Sequence, residues 1–260
     1  LGEAYFLRAW AYFNAVRIWG DIPLITSPIG TGSADFYAER TSQDIVYNQI
    51  IFDLQFAETA GLPSTDATGR VSLAAVKSLL AKVYLTMAGH PLNITEHYAN
   101  AATKAQEVMN LSPNIGLFDT YGEIYLEGNE NTVEHIFSVQ YAPNVNANFE
   151  SLSFLPARNI TKGGATGWQT NLPETNFYNS FESGDLRKAN RQGWFYTDYF
   201  TGGNGALTDL GGPHIFKAFN VANFGSNTVE GNGLGDFLNF SVIRFAEVLL
   251  IYAEASNEVS

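Results

Sequence analysis

The sequence contains no cysteine among its 260 residues. This absence excludes a disulfide framework, a thiolate nucleophile and any metal site built on cysteine. It leaves the cellular compartment open, because large exported proteins often fold without disulfides. No run of about 18 apolar residues is free of charges, so the sequence predicts no membrane-spanning helix.

Basic residues are also scarce, with 14 Lys and Arg against 26 Asp and Glu, which gives a net charge of −12. A nucleic-acid-binding protein needs a positive surface, so this balance argues against one. Charged residues make up only 15% of the chain, whereas apolar residues reach 45%. Such a composition excludes intrinsic disorder and predicts a folded protein with a sizeable core.

Neither end of the sequence resembles a natural terminus. The chain begins Leu1-Gly2-Glu3 without Met, and a helical pattern continues up to Val259. We therefore expect an internal piece of a longer protein. The lack of a leader sequence then gives no information on localisation.

Helical periodicity and loop-rich sequence divide the chain. Apolar residues repeat at three and four positions over 1–19, 45–57, 72–88, 97–109 and 240–259. Residues 111–239 hold 17 of the 24 glycines. This glycine-rich sequence predicts loops, with a strand at 134–141 and a short helix at 172–181. We expect one mainly α domain, with a helical scaffold (1–110), a loop-rich region (111–239) and a further scaffold helix (240–260).

No catalytic motif is present. The four histidines lack zinc-site spacing, and the sequence has neither Gly-x-Ser-x-Gly nor a P-loop. We therefore predict no catalytic residue, no metal ion and no cofactor. A carboxylate-dependent glycoside hydrolase stays an alternative, since two acidic side chains facing one cleft would suffice. The acidic candidates are Glu174, Glu182, Asp185, Asp198 and Asp209.

Aromatic residues in the loops are the best candidates for a binding site. Sugars stack their apolar faces on flat rings, and amide and guanidinium groups bind sugar hydroxyls. Trp168 follows a glycine-rich stretch and precedes two amide side chains, and Trp194 belongs to a second aromatic cluster. The predicted ligand-binding residues are Arg158, Asn159, Trp168, Gln169, Asn171, Trp194 and Tyr196. The alternative that these aromatics pin long loops to the scaffold stays open.

Five stretches in the same order resemble the SusD/RagB family. They are Gly2–Thr26, Gly69–Tyr84, Asn131–Tyr141, Phe181–Lys188 and Ile243–Glu258, and the last is similar to the family sequence R-Y-A-E-V-L-L-x-Y-A-E-A-x-N-E. The resemblance implies tetratricopeptide-like helix pairs with a large loop-rich insertion that carries most of the ligand surface and a few short strands. Family chains are about twice as long, so a signal peptide and a lipid-bearing cysteine are expected upstream of Leu1.

The resemblance also implies a function. Family members are lipoproteins on the outer face of the outer membrane. They bind glycans, or peptides in some members, and deliver them to a TonB-dependent SusC-type transporter. They are not enzymes and need no cofactor.

Charges inside the apolar helices are predicted to have a structural role. Arg244 and Glu247 lie three residues apart, on one face of a helix, where they can pair. We expect a buried ion-pair network that holds the first and last helices together. Its predicted members are Glu3, Arg8, Arg17, Arg244, Glu247 and Glu254.

Overall fold

A computed structural model describes residues 1–30, 32, 34–111, 113–142, 145, 148, 153–154, 168–190, 192–201, 206–216 and 238–259. Within them lie six α-helices: α1 (Gly2–Trp19), α2 (Gln43–Glu58), α3 (Leu73–Ala88), α4 (His97–Met109), α5 (Thr175–Ser180) and α6 (Phe245–Val259). The strands are β1 (His135–Val139), β2 (Phe195–Thr201), β3 (Ala206–Ile215) and β4 (Phe240–Arg244). The prediction of a mainly helical protein with a few short strands is confirmed.

The chain divides into two compact units. Leu1–Gly116 and Ile243–Ser260 form the first, which we call the helical unit, and Leu117–Val242 form the second, which we call the loop unit. Five of the six helices named above belong to the helical unit, whereas α5 and strands β1, β2 and β3 belong to the loop unit.

Helix α3 is the centre of the helical unit. It packs against α2, α4 and α6, and most of its residues are buried, including Leu79, Leu80 and Val83. Its first turn is closed by Ser72, whose hydroxyl accepts a hydrogen bond from the backbone N–H of Ala75 at 3.2 Å. Helices α3 and α4 follow each other in the chain and pack together as a helical hairpin, whereas the tetratricopeptide-like arrangement of helix pairs stays a prediction.

The buried charge of the helical unit is Asp53 on α2, whose side chain has 0% of its surface exposed. Arg8 on α1 binds it with two hydrogen bonds, Nε to Oδ2 at 2.7 Å and Nη2 to Oδ1 at 2.6 Å. Gln49 donates a third from Nε2 at 2.7 Å. Asp53 therefore joins α1 to α2, because its carboxylate is satisfied only where these side chains converge.

The predicted ion-pair partners are corrected by this geometry. Glu3 pairs with Arg70 at 2.5 Å, and Glu247 pairs with Lys82 at 2.6 Å. Arg17 donates to the carbonyl of Phe13 and to Asn14 on its own helix, while Glu254 is exposed. The sequence places Arg244 and Glu247 close along the chain, but Arg244 belongs to β4 and precedes the helix, so helical spacing does not apply to the pair.

A second set of charges, which the sequence did not single out, joins three helices. Lys77 on α3 and Lys104 on α4 each lie 2.8 Å from the Glu58 carboxylate on α2. Both lysines also contact Glu107 on α4. Four alternating charges at one junction neutralise each other locally, so the junction stays partly buried without an uncompensated charge.

Hairpin β2–β3 is the main sheet element of the loop unit. Its strands are antiparallel, with Tyr196 opposite His214 and Asp198 opposite Asp209. The register shifts between Tyr196 and Asp198, and there the N–H of Thr197 donates to the side-chain oxygen of Asn190 at 3.1 Å. An adjacent side chain thus replaces a ladder hydrogen bond at the irregularity.

Two element boundaries differ from those predicted. The segment 240–244 forms strand β4, paired with β1, although we predicted a helix from residue 240. Hydrogen bonding to β1 makes this segment a strand. Five residues are too few for their apolar spacing to separate a strand from the helix that follows. Helix α5 is also shorter than predicted, beginning at Thr175 after Leu172 and Pro173.

Candidate functional site

A tight turn after α5 organises the candidate site in the loop unit. Gly184 adopts a φ of +89°, a conformation that glycine reaches without strain. Asp185 follows and accepts a hydrogen bond from the backbone N–H of Arg187 at 2.9 Å, which caps the 3₁₀ turn Leu186–Lys188. The turn therefore sets the position of the Arg187 side chain.

Close backbone contact then fixes Trp194 against this turn. The N–H of Trp194 donates to the carbonyl of Arg187 at 2.7 Å, and the N–H of Gly193 donates to Ala189 at 2.9 Å. A Cβ at Gly193 would lie only 2.3 Å from the carbonyl oxygen of Arg187. Glycine is thus required here, because any other residue would push the strand off the turn.

Three aromatic rings form one wall beside the turn. Phe177 and Phe181, four residues apart, have ring centroids 5.1 Å from each other, and Phe181 lies 5.8 Å from Trp194 in an edge-to-face contact. The guanidinium of Arg187 lies 4.7 Å from the Phe181 ring and 5.5 Å from the Trp194 ring. Edge-to-face and cation–π contacts hold these side chains in fixed orientations.

The wall borders an open groove of about 770 Å³, which we call the Trp194 groove. Its lining consists of Phe177, Ser180, Phe181, Glu182, Ser183, Gly184, Asp185, Arg187 and Trp194. The lining combines apolar rings with hydroxyl and charged groups, which match the two kinds of surface that a sugar ring presents.

One ion pair lies among the residues that line the Trp194 groove. Arg187 donates from Nε to Asp185 Oδ1 at 3.0 Å and from Nη2 to Oδ2 at 2.5 Å. These hydrogen bonds lower the pKa of Asp185 from 3.8 to about 2 and raise that of Arg187. Asp185 is therefore ionised at physiological pH and is a poor proton donor, which argues against it as the general acid of a hydrolase.

A second open groove, of about 590 Å³, follows the β2–β3 hairpin. Asp198 and Asp209 line it together with Tyr178 and Gly212. The two aspartates are opposite each other in the antiparallel register, so both carry their carboxyl groups at this groove. Asp209 accepts from the N–H of Gly211 at 2.9 Å, and Asn190 donates to Asp198 at 3.4 Å.

The predicted ligand-binding residues differ in their exposure and in their contacts. Trp168 is 53% exposed, Asn171 is exposed with its backbone N–H bonded to the Ser153 carbonyl, and Gln169 is half-buried with a φ of +50°. Trp194 lines the groove described above. Arg158 and Asn159 lie outside the described residues.

Tyr196 is corrected from a ligand-binding residue to a loop anchor. Only 2% of its surface is exposed, and its hydroxyl donates to the carbonyl of Phe154 at 2.7 Å. Its ring packs against His214 and Phe216, with centroids 5.2 Å and 6.4 Å away. For this residue the open alternative of a loop-pinning aromatic is the one observed, since no ring face is left for a sugar.

Sequence reasoning named Trp194 but missed the partners that build its groove. Phe177 and Phe181 were treated as part of a short helix, although their spacing of four residues placed both rings on one side. That spacing was the available signal. The contact of Phe181 with Trp194 has no signal in the sequence. It joins two segments across a turn whose path depends on Gly184 and Gly193.

Comparison with known proteins gives the family. Residues 1–85 match a family described as "Starch-binding associating with outer membrane", and residues 173–260 match the SusD family. SusD-like protein P2 of Formosa agariphila is 30% identical over 99% of this chain. A SusD superfamily protein of Parabacteroides distasonis superposes with a TM-score of 0.87 and 36% identity over 99% of this chain. The chain belongs to the SusD/RagB family.

Coverage of these SusD/RagB relatives is partial. The chain spans 52% of the Formosa protein and 55% of the Parabacteroides structure, about half of each. A crystal structure with xylogluco-oligosaccharide also shares the fold, with a TM-score of 0.77 and 24% identity over 98% of this chain and 53% of that one. None of the helices in the described ranges combines the length and apolarity of a bilayer-crossing segment.

Proposed function

We propose that this protein binds a glycan, an oligo- or polysaccharide, on the outer face of the outer membrane and delivers it to a TonB-dependent SusC-type transporter. Family membership supports this proposal, and so does the xylogluco-oligosaccharide bound by a protein of the same fold. The single observation that carries it within this chain is the exposed ring of Trp168. We further propose that binding involves no catalysis.

Stacking on Trp168 is the proposed means of capture. An indole ring with 53% of its surface in solvent is costly to leave uncovered, and a pyranose ring covers it with its apolar face. The neighbouring amide side chains of Gln169 and Asn171 supply donors and acceptors for hydroxyl groups. The hydrogen bond of 3.0 Å from the Asn171 backbone to Ser153 holds that segment in place.

A matched pair of tryptophan variants tests this binding site. Trp168→Ala should weaken glycan binding by roughly 1–3 kcal/mol, by analogy with aromatic–base stacking, measured by calorimetry against a panel of oligosaccharides. Trp19→Ala is the control, because Trp19 is 64% exposed but lies at the end of α1 in the helical unit. Equal affinities for both variants would remove Trp168 from the site.

The same panel separates the binding protein from its alternatives. Release of shorter saccharides by the wild-type chain would favour a hydrolase, and loss of that release in Asp198→Asn would place the chemistry in the hairpin groove. Binding of peptides but not of glycans would favour a peptide-binding member of the family. Binding of a glycan without product is the outcome expected here.

Delivery needs a partner and is tested with the intact protein in its own membrane. We expect the full-length protein to co-purify with a SusC-type transporter encoded beside it, after mild detergent extraction of outer membranes. Purification of the protein without any such transporter would contradict delivery while leaving glycan binding in place.

A further inference from the structure

We propose that the Trp194 groove is a second sugar subsite that accepts neutral or amino-bearing pyranose units and rejects uronates and sulfated sugars. The proposal rests on the glycan-binding function above and adds the charge class of the ligand. The residues that would set this selectivity are Glu182 and the ion pair of Asp185 with Arg187.

The aromatic wall gives the groove a flat apolar surface. Phe177 is 50% exposed and lines the groove beside Phe181 and Trp194. Because these rings contact one another at 5.1 Å and 5.8 Å, they need no rearrangement to receive a flat ligand. A preorganised wall lowers the entropy cost of binding. The groove volume of about 770 Å³ is within the range of small-molecule sites.

Arg187 is the one cation among the described residues that line the groove. Arg187 would attract an anionic sugar, but both of its bonded donor atoms are turned to the Asp185 carboxylate, at 3.0 Å and 2.5 Å. Its positive charge is therefore cancelled at short range. Glu182 is exposed, and within the described part of the chain no cation is recorded within ion-pair distance of it. The described lining residues thus carry one net negative charge, from Glu182.

An anionic sugar would meet this negative charge, and the guanidinium that could attract it is already paired with Asp185. A carboxylate or sulfate in the groove has to compete with Asp185 for Arg187, and the chain's overall charge of −12 adds to the repulsion. An ammonium group on an amino sugar is positively charged, so it is attracted to the groove and pairs with the Glu182 carboxylate. The affinity of neutral sugars lies between those of anionic and amino sugars, since stacking and hydroxyl contacts do not depend on charge.

The test uses three oligosaccharides of different charge: a cationic glucosamine tetramer, its neutral N-acetylated counterpart and an anionic tetragalacturonate. At low salt and pH 6, where the amino groups are protonated, we expect affinity to fall in that order. Glu182→Gln should reduce binding of the glucosamine tetramer several-fold and leave the acetylated tetramer unchanged. Tightest binding of tetragalacturonate by the wild type would overturn the proposal while supporting glycan binding.

Release of the guanidinium gives a gain-of-function test. In Asp185→Asn the side-chain oxygen still accepts the N–H of Arg187, so the cap persists, but Arg187 loses its counter-ion. Tetragalacturonate affinity should rise several-fold. Asp198→Asn removes the same charge in the hairpin groove and is the control. Equal gains in both variants would mean that only the overall field matters and would overturn the proposal.

Ring removal locates the subsite itself. Phe177→Ala should weaken binding of the acetylated tetramer roughly fivefold or more, by the measure of aromatic stacking. Phe52→Ala, on the exposed face of α2, serves as the matched control, and thermal melts establish that both variants fold. Unchanged affinity in a folded Phe177→Ala would overturn the subsite. Failure of every oligosaccharide to bind would instead overturn the proposed function on which it rests.

Discussion

The helical unit and the loop unit satisfy their buried polar groups in different ways. In the helical unit, backbone groups pair within the helices, and the buried carboxylate of Asp53 is paired with the guanidinium of Arg8. The loop unit has to bond its backbone with side chains: Asn148 donates to the carbonyl of Leu238 at 2.9 Å, and Asn239 accepts from the N–H of Tyr141 at 2.7 Å. Irregular backbone needs side-chain partners, because few of its N–H and C=O groups form hydrogen bonds between strands.

This difference bears on function. Asn and aromatic residues of the loop unit resemble sugar-binding groups in the sequence, yet many serve the loop itself, as Tyr196 does through Phe154. Only side chains that remain exposed after these demands, such as Trp168 and Phe177, are offered to a ligand. A loop-rich region therefore has fewer candidate contacts than its composition suggests.

The largest effect is expected where the helical unit buries a charge. Arg8→Met should lower the free energy of unfolding by about 3–5 kcal/mol, because it leaves the fully buried Asp53 without a cation. Chemical denaturation followed by circular dichroism measures it. Arg70→Met removes a cation from the exposed pair with Glu3 and should leave the transition unchanged. Similar losses in both variants would contradict the distinction between buried and exposed pairs.

A close backbone contact should give the next largest effect, this time in the loop unit. Gly193→Ala places a Cβ against the carbonyl of Arg187 and should destabilise the chain by about 1–3 kcal/mol, as other overpacked sites do. The Trp194 groove should be distorted as well, which tryptophan fluorescence reports. Gly212→Ala, where a Cβ meets nothing within 4 Å, is the control and should behave as wild type.

Removal of one hydroxyl tests the anchor role of Tyr196. Tyr196→Phe loses the hydrogen bond to Phe154 and should cost about 1 kcal/mol of stability. Glycan affinity should not change, since the residue is buried. A drop in affinity with unchanged stability would restore Tyr196 to the binding site.

The smallest effect is expected from pH and concerns His214. Burial lowers its pKa below 6.5, and its Nε2 is buried without a hydrogen-bond partner in the described structure. The unfolded chain therefore binds the proton first, so stability is complete above pH 6.5 and declines as pH falls towards the folded-state pKa. Denaturation midpoints at pH 7.5 and pH 5.5 measure this decline. His214→Phe should reduce the pH dependence, and an unaltered dependence would exclude His214 as its source.

Much of the fold was predictable, because the apolar spacing of a helix is visible within a short stretch of sequence. Repeats of three and four residues located α2, α3 and α4 with nearly their observed bounds, since a buried helix must be apolar along one or more faces. Strand β4 was mistaken for the start of α6, because five residues are too few for periodicity to decide. The site was predictable only in part, since exposure of Trp168 and burial of Tyr196 depend on neighbours distant in the chain.

The helical core, the scarcity of positive charge and the family all follow from composition and from motifs along the chain. Tertiary structure alone decided the ion-pair partners, because Arg8 reaches Asp53 across 45 residues and Glu3 reaches Arg70 across 67. It also decided which aromatic rings face solvent and that Arg187 turns to Asp185. Pairing and exposure depend on which surfaces meet in space, and a linear pattern does not contain that information.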